Sequence, residues 1–371
     1  MATSVEYSRE LTGLRGLAAI WIVLFHYQYL FGFSPDFFYL AFSNRAIAKG
    51  YLAVDFFFVL SGFVLAMVSG QSLISRNGSA REVLTRTIQF YRKRLARIYP
   101  LHVLTLLMMA GLYIANGNQI LSNDSIRSLT ANIFLIHAWG QSYMPDFNYP
   151  SWSISVEWLA YLSFPLALTL NRVLRNYQIS LIASALVSGF ALVGVSTRYR
   201  EGSFDLTYDW GWARCLLEFW IGMSIYHLHE NYSKLRAINK GWLPSMILLG
   251  LLCLLMTPNL PDGWIVLICS LTILSIAVGS PVWRLLLGNP ISHFLGEISY
   301  SIYMLHIFIG TVSLKLWVGM YGPNQSTIQG FLAFVIVLSI LIALSTVSFR
   351  YFETPSRKYL QPKKREAKAS L

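Results

Sequence analysis

The sequence predicts an all-α fold: a polytopic membrane helical bundle of about ten transmembrane helices with both termini cytoplasmic. Two observations predict the class. Of 371 residues, 55% are hydrophobic and only 12% charged, too apolar a mixture for a soluble domain of this length. The apolar residues also fall into runs close to the ~20 residues that a helix needs to cross a bilayer. A third observation sets the orientation. The basic residues gather in short stretches beside those runs, as they do in cytoplasmic loops.

The spans are placed near 14–32, 51–70, 98–116, 152–170, 178–196, 211–229, 242–258, 263–280, 294–317 and 328–350. The connection between the second and third holds Arg76, Arg81, Arg86, Arg92, Lys93, Arg94 and Arg97 and is therefore cytoplasmic, so the first helix runs from inside to outside. The apolar stretch 128–139 is too short to span with ease and is expected to be re-entrant, interfacial or packed at the outer surface. If it does not cross, Arg172, Arg175, Lys234, Arg236, Lys240, Arg284 and the PKKREAK run all fall inside, which favours ten spans. No small-residue cleavage site follows the first apolar run, so that helix is expected to stay in the mature protein. The formal charge of +12 belongs to these loops and does not imply nucleic acid. Cys215, Cys253 and Cys269 lie in apolar runs without metal-ligand spacing, so packing roles and no metal are expected.

Polar residues inside the spans are the candidates for chemistry, because an ionisable group near the bilayer centre costs roughly 2.5–3.5 kcal/mol on insertion scales. Arg15 and His26 stand eleven residues apart in TGLRGLAAIWIVLFHY, on one helical face and ~16 Å apart along the axis. Taken alone, Arg15 is either an inner anchor or a ligand, and His26 either a packing histidine or a site residue. In FYRKRLARIYP, Arg94 and Arg97 are neighbours on one helix. Arginine grips phosphate bidentately, although topology accounts for basic residues there almost as well.

In PSWSISVEWLAYLSFP, Ser153 and Glu157 share a face. A carboxylate at that depth needs a partner: His26, which it would support as a general base, or Tyr, Trp and backbone groups in a structural role. Asp55 lies near the outer end of the second span, with Ser61 and Gly62 deeper. Asp55 is either a helix-end hydrogen-bonding residue or a lining residue, and Ser61 and Gly62 suit close helix approach. Ser299, Tyr303 and His306 follow i, i+4, i+7 spacing, one polar stripe on an apolar helix. Glu353 sits at the inner boundary beside basic residues, where an ion pair is expected. Ordered by depth, the basic groups suit a polyanionic donor, and His26 with Glu157 suits proton removal from a hydroxyl. Coenzyme A carries phosphates at one end and a thioester on a long arm, a geometry that bridges the two.

The segments TGLRGLAAIWIVLFH, GYLAVDFFFVLSGFVLA, FYRKRLARIYP, SWSISVEWLAYLSFP and LGEISYSIYMLH together resemble acyltransferase family 3. This is the membrane O-acyltransferase family of bacterial polysaccharide, lipopolysaccharide and Nod-factor modifiers, and the resemblance covers essentially the whole chain. It implies an integral-membrane acyltransferase domain over 1–355 and a basic cytoplasmic tail over 356–371, in the bacterial inner membrane. It also implies that His26 is the catalytic histidine of a signature opened by Arg15. Arg94 and Arg97 would bind acyl-CoA phosphates, Glu157 would be the motif carboxylate, and acetyl-CoA is the common donor. Two departures stand out. Many relatives carry a second acidic residue where this chain has Trp158. Some also carry a C-terminal SGNH hydrolase domain, whereas this chain is expected to complete transfer alone or with a separate partner.

The expected function is transfer of an acyl group, acetyl by preference, from cytoplasmic acyl-CoA to a hydroxyl of an exported or lipid-linked glycan. Arg15, Arg94 and Arg97 are the expected donor ligands, His26 and Glu157 the catalytic pair, and Asp55, Ser61, Ser153, Tyr303 and His306 candidate lining residues. Direct attack is expected rather than an acyl-enzyme, because neither Ser61 nor Ser153 is evidently activated. The rival is a transporter of a small anionic or polar substrate, which the lack of an evident inverted repeat disfavours.

Overall fold

The computed structural model describes residues 8–31, 46–74, 79–141, 147–173, 186, 189–191, 193–194, 197–198, 203–231, 242–257, 261–322 and 326–361. Among the described residues no strand occurs. The helices are α1 (Arg9–Phe31), α2 (Ala53–Leu65), α3 (Ala80–Ala115), α4 (Asn123–Ile133), α5 (Ser151–Val173), α6 (Gly211–Asn231), α7 (Leu243–Met256) and α8 (Gly263–Val278). They continue as α9 (Pro281–Leu287), α10 (Pro290–Glu297), α11 (Ser299–Tyr321), α12 (Thr327–Ser348) and α13 (Thr354–Leu360). π-Helical turns extend α2 through Ala66–Gly70 and α12 through Phe349–Glu353.

Four described helices are long and apolar enough to cross a membrane, at Gly50–Gly70, Ala80–Ala115, Ser299–Tyr321 and Ile328–Leu360. The pair α8 and α9, bent by 103°, makes a fifth if it forms one span. Helices α1, α5 and α6 have 23, 23 and 21 residues, enough to cover ~30 Å at ~1.5 Å per residue, but they carry the polar side chains that the bundle gathers at its centre. The expected span at 178–196 lies largely outside the described residues, as do Arg76, Arg175, Lys234, Arg236, Lys240 and residues 362–371.

The 128–139 stretch packs on the bundle. Helix α4 has 11 residues, about 16 Å of rise, too little to cross. The turn that follows is tied to α5, where Ser155 Oγ accepts from Ala138 N at 3.2 Å and donates to Leu135 O at 2.8 Å. Trp139 Nε1 donates to Ser155 O at 3.0 Å.

A tight crossing joins α2 and α6. A Cβ on Gly62 would lie 2.0 Å from Phe219 O, and one on Gly222 would lie 1.9 Å from Val59 O, so only glycine lets these backbones meet. That contact brings Asp55 opposite Arg214. Arg214 Nε and Nη2 donate to the two carboxylate oxygens of Asp55 at 3.0 and 2.5 Å. The guanidinium also donates to Leu206 O and Tyr51 O and lies over the Trp152 ring. Asp55 and Arg214 are 0% and 1% exposed. Asp55, in the first turn of α2, is thus half of a buried ion pair that joins α2 to α6.

Candidate functional site

One cavity runs between α1, α2, α3, α5 and α11. Its wall includes Arg15, Arg94 and Arg97, then Ser61, Glu157 and Tyr161, then Ser153, Phe57 and Tyr303. It holds about 760 Å³ of empty space, its open mouth included. The three arginines proposed from three-residue spacing and membrane depth therefore converge. Arg94 lies with its guanidinium carbon 5.8 Å from the Phe90 ring, and its Nε is a buried donor without a hydrogen-bond partner among the described residues. A buried donor of this kind calls for an acceptor.

Glu157 finds its partners on the same wall. Ser61 Oγ donates to Glu157 Oε1 at 2.8 Å, and Tyr161 OH donates to the same oxygen at 2.5 Å. The expected contact between Glu157 and His26 is not formed. Glu157 lies one turn along α5 from Ser153, and Ser153 is already engaged with α11: its Oγ lies 2.6 Å from Tyr303 OH. Tyr303 OH also donates to Pro150 O at 2.9 Å, which pins α11 against the start of α5. Trp158, beside the carboxylate, packs edge-on against Tyr91 with ring centroids 6.2 Å apart. Glu353 accepts from Ser301 Oγ at 3.0 Å.

His26 does not line the cavity. Its partner is His306, with His306 Nε2 3.0 Å from His26 Nδ1 and ring centroids 4.9 Å apart. The Tyr303 ring, which does line the cavity, lies 5.9 Å from the His306 ring and 6.2 Å from the Phe57 ring. On another side, His26 meets the Tyr149 ring at 5.9 Å, and Tyr149 meets Tyr208 at 6.2 Å. The polar stripe Ser299, Tyr303, His306 is real: two members line the cavity and the third reaches His26. Sequence reasoning missed the His26–His306 contact, Tyr161 and Arg214. The depth of His306 along its stripe was a usable signal for the first. Arg214 and Glu218, lone charges in an otherwise apolar run, were a signal for the buried ion pair. Among the described residues no group of three or more His, Cys, Asp or Glu side chains is placed to hold a metal, and Cys215, Cys253 and Cys269 are unbridged.

The helical bundle thus sets an arginine-lined cavity beside a histidine pair, with the Tyr303 ring between them. The acyltransferase domain family (acyltransferase family 3) matches residues 8–350, and the chain belongs to that family. It is 25% identical over 382 residues to a Staphylococcus aureus protein named "Putative O-acetyltransferase SAS0844", a match covering 95% of this chain and 58% of that protein. It is also 25% identical over 375 residues to "Acyltransferase MdmB" of Streptomyces mycarofaciens, covering 95% and 92%. A shorter match, 43% over 105 residues, is to "Protein 2 in picA locus" of Rhizobium radiobacter. The chain spans somewhat more than half the length of the staphylococcal relatives. No solved structure matches it.

Proposed function

We propose that this chain is a ten-span O-acyltransferase of the bacterial inner membrane, and specifically an O-acetyltransferase. It would carry an acyl group from cytoplasmic acyl-CoA to a hydroxyl of an exported or lipid-linked glycan. The observation that carries this reading is the convergence of Arg15, Arg94 and Arg97 on one cavity, with Arg94 Nε buried and lacking an acceptor among the described residues. Guanidinium groups match phosphate oxygens in geometry and charge, and the donor's phosphates would supply the acceptor that Arg94 lacks.

The residues then divide the work along the cavity. Arg15, Arg94 and Arg97 hold the phosphates, while Glu157, bonded to Ser61 and Tyr161, orders the wall beside them. Phe57 and Tyr303 stand where the thioester arm would approach the histidines. His26 takes the proton of the acceptor hydroxyl as that oxygen attacks the thioester carbonyl. The carbon–sulfur bond breaks, and His26 returns the proton to the departing thiolate. Atoms and charge balance without an acyl-enzyme, and Tyr149 and Tyr208 offer the acceptor an aromatic approach to His26.

The test is transfer of radiolabelled acetyl from acetyl-CoA by the purified protein in lipid vesicles, with His26→Ala and Arg97→Ala alongside. Loss of donor binding in the arginine variant, and loss of turnover with binding intact in the histidine variant, are expected. Full turnover in His26→Ala would refute the mechanism. Uptake of a small substrate into vesicles without acetyl-CoA consumption would identify a transporter instead.

A further inference from the structure

Building on the acyl-transfer reading, we infer that His306 is the positioning residue for His26: it fixes which nitrogen of His26 is basic and shares the charge that His26 acquires. Hydrogen positions follow from the partners. A carbonyl oxygen only accepts, so the 2.6 Å contact between His306 Nδ1 and Tyr303 O puts a hydrogen on that Nδ1. In the neutral ring, His306 Nε2 is then a lone pair, and it faces His26 Nδ1 at 3.0 Å. The other neighbour of His26 Nδ1 is Ile22 O, also at 3.0 Å and also an acceptor. Both neighbours require a hydrogen on His26 Nδ1. His26 Nε2 is therefore the unprotonated nitrogen, the one available to a substrate hydroxyl.

His306 is well held for this task. It is 0% exposed, and its own carbonyl accepts from Tyr27 OH at 2.9 Å. The residue that fixes its tautomer, Tyr303, is in turn fixed through its hydroxyl to Pro150 O and Ser153. The chain Ser153, Tyr303, His306, His26 thus links the cavity wall to Nδ1 of the reacting ring. When His26 Nε2 accepts the hydroxyl proton, its Nδ1–H points at a lone pair. The positive charge is then spread over two rings, and the proton that returns to the thiolate leaves both rings neutral. The arrangement does for His26 what a carboxylate does for the histidine of a hydrolytic triad, here with a neutral acceptor.

Two variants separate this role from packing. His306→Phe fills the space without an acceptor, whereas His306→Gln keeps a side-chain oxygen able to accept from His26. The expected result is a kcat about 100-fold below wild type for Phe, at least tenfold recovery in Gln, and an acyl-CoA KM within about threefold of wild type in both. That unchanged KM also reports that the variants fold. Equal kcat in the two variants, or a higher kcat in Phe, overturns the inference. A second readout does not need turnover: ¹⁵N NMR of ring-labelled histidine in lipid, with His26 assigned from the His26→Gln spectrum. A protonated His26 Nδ1 whose resonance moves in His306→Phe supports the inference, and a protonated Nε2 with bare Nδ1 overturns it. A wild type that transfers no acyl group would count against the proposed activity, while this spectrum would still decide the role of His306.

Discussion

Ser61 on α2 donates a 2.8 Å hydrogen bond to Glu157 on α5, across the wall of the arginine-lined cavity. A hydroxyl beside a carboxylate is also the arrangement of an activated nucleophile, so the contact admits an acyl-enzyme as well as a structural bond. Geometry favours the structural role. The same carboxylate oxygen accepts from Tyr161, and His26 lies beyond Tyr303 and His306. Ser61→Ala is accordingly expected to keep turnover within about tenfold of wild type, a loss of roughly 1 kcal/mol for one hydrogen bond. Abolished transfer, together with a hydroxylamine-labile acetyl adduct on wild-type Ser61, would establish the acyl-enzyme.

Arg94 and Arg97 differ from ordinary inner-face anchors in what surrounds them. Both line the cavity, and Arg94 Nε is buried without a partner among the described residues. A charge-assisted hydrogen bond contributes about 1.5–3 kcal/mol, so Arg94→Ala is expected to raise the acyl-CoA KM about 10–100-fold with little change in kcat. Arg92, one position from Lys93 on the exposed side of the same helix, is the control, and Arg92→Ala should leave KM unchanged. Steady-state kinetics over a range of acetyl-CoA concentrations distinguishes the two. Equal effects would reduce the cluster to a topology signal.

Asp55 is expected to govern folding rather than turnover. Its carboxylate and Arg214 are both buried and paired through two hydrogen bonds. Removing Asp55 leaves Arg214 with only the more distant Glu218, 3.9 Å from its Nε, and breaking a buried pair costs about 3–5 kcal/mol. Asp55→Ala should therefore lower the thermal midpoint in detergent sharply. The paired replacement Asp55→Leu with Arg214→Met should recover only part of the loss, because the buried carboxyl of Glu218, 3.9 Å from Arg214 Nε, then loses its cation. A single variant as stable as wild type would show that the pair contributes nothing.

What the sequence revealed and what it withheld follow one division. Intrahelical spacing is visible in a sequence: Arg94 with Arg97, and the stripe Ser299, Tyr303, His306, were placed correctly on their faces. The direction in which a face points depends on crossings between helices, and those are set by small residues such as Gly62 and Gly222, whose backbones touch. From depth, His26 is one candidate partner for Glu157, with Tyr, Trp and backbone groups as the alternative, and depth does not choose between them. His26 turned to His306 and Glu157 to Ser61 and Tyr161, because rotation about each helix axis, not height, decides the neighbour. The partner of Asp55 was not visible for the same reason, since Arg214 sits on a helix 159 residues away in sequence.

The last prediction concerns the acceptor. Tyr149 lies in the segment leading into α5, is 38% exposed, and places its ring centroid 5.9 Å from that of His26 and 6.2 Å from that of Tyr208. Accessible aromatic rings beside a half-buried base suit an acceptor that presents flat apolar faces and hydroxyl edges, since such rings supply contact area with only two torsions to immobilise. Tyr149 is not part of the arginine-lined wall, so its effect should fall on one substrate alone. Tyr149→Ala is expected to raise the acceptor KM several-fold to tenfold, about 1 kcal/mol of lost contact, with acetyl-CoA KM unchanged. Tyr149→Phe, which keeps the ring, should lie near wild type. If donor KM rises instead, the acceptor does not approach His26 past Tyr149, and its entry must be sought on another face of the bundle.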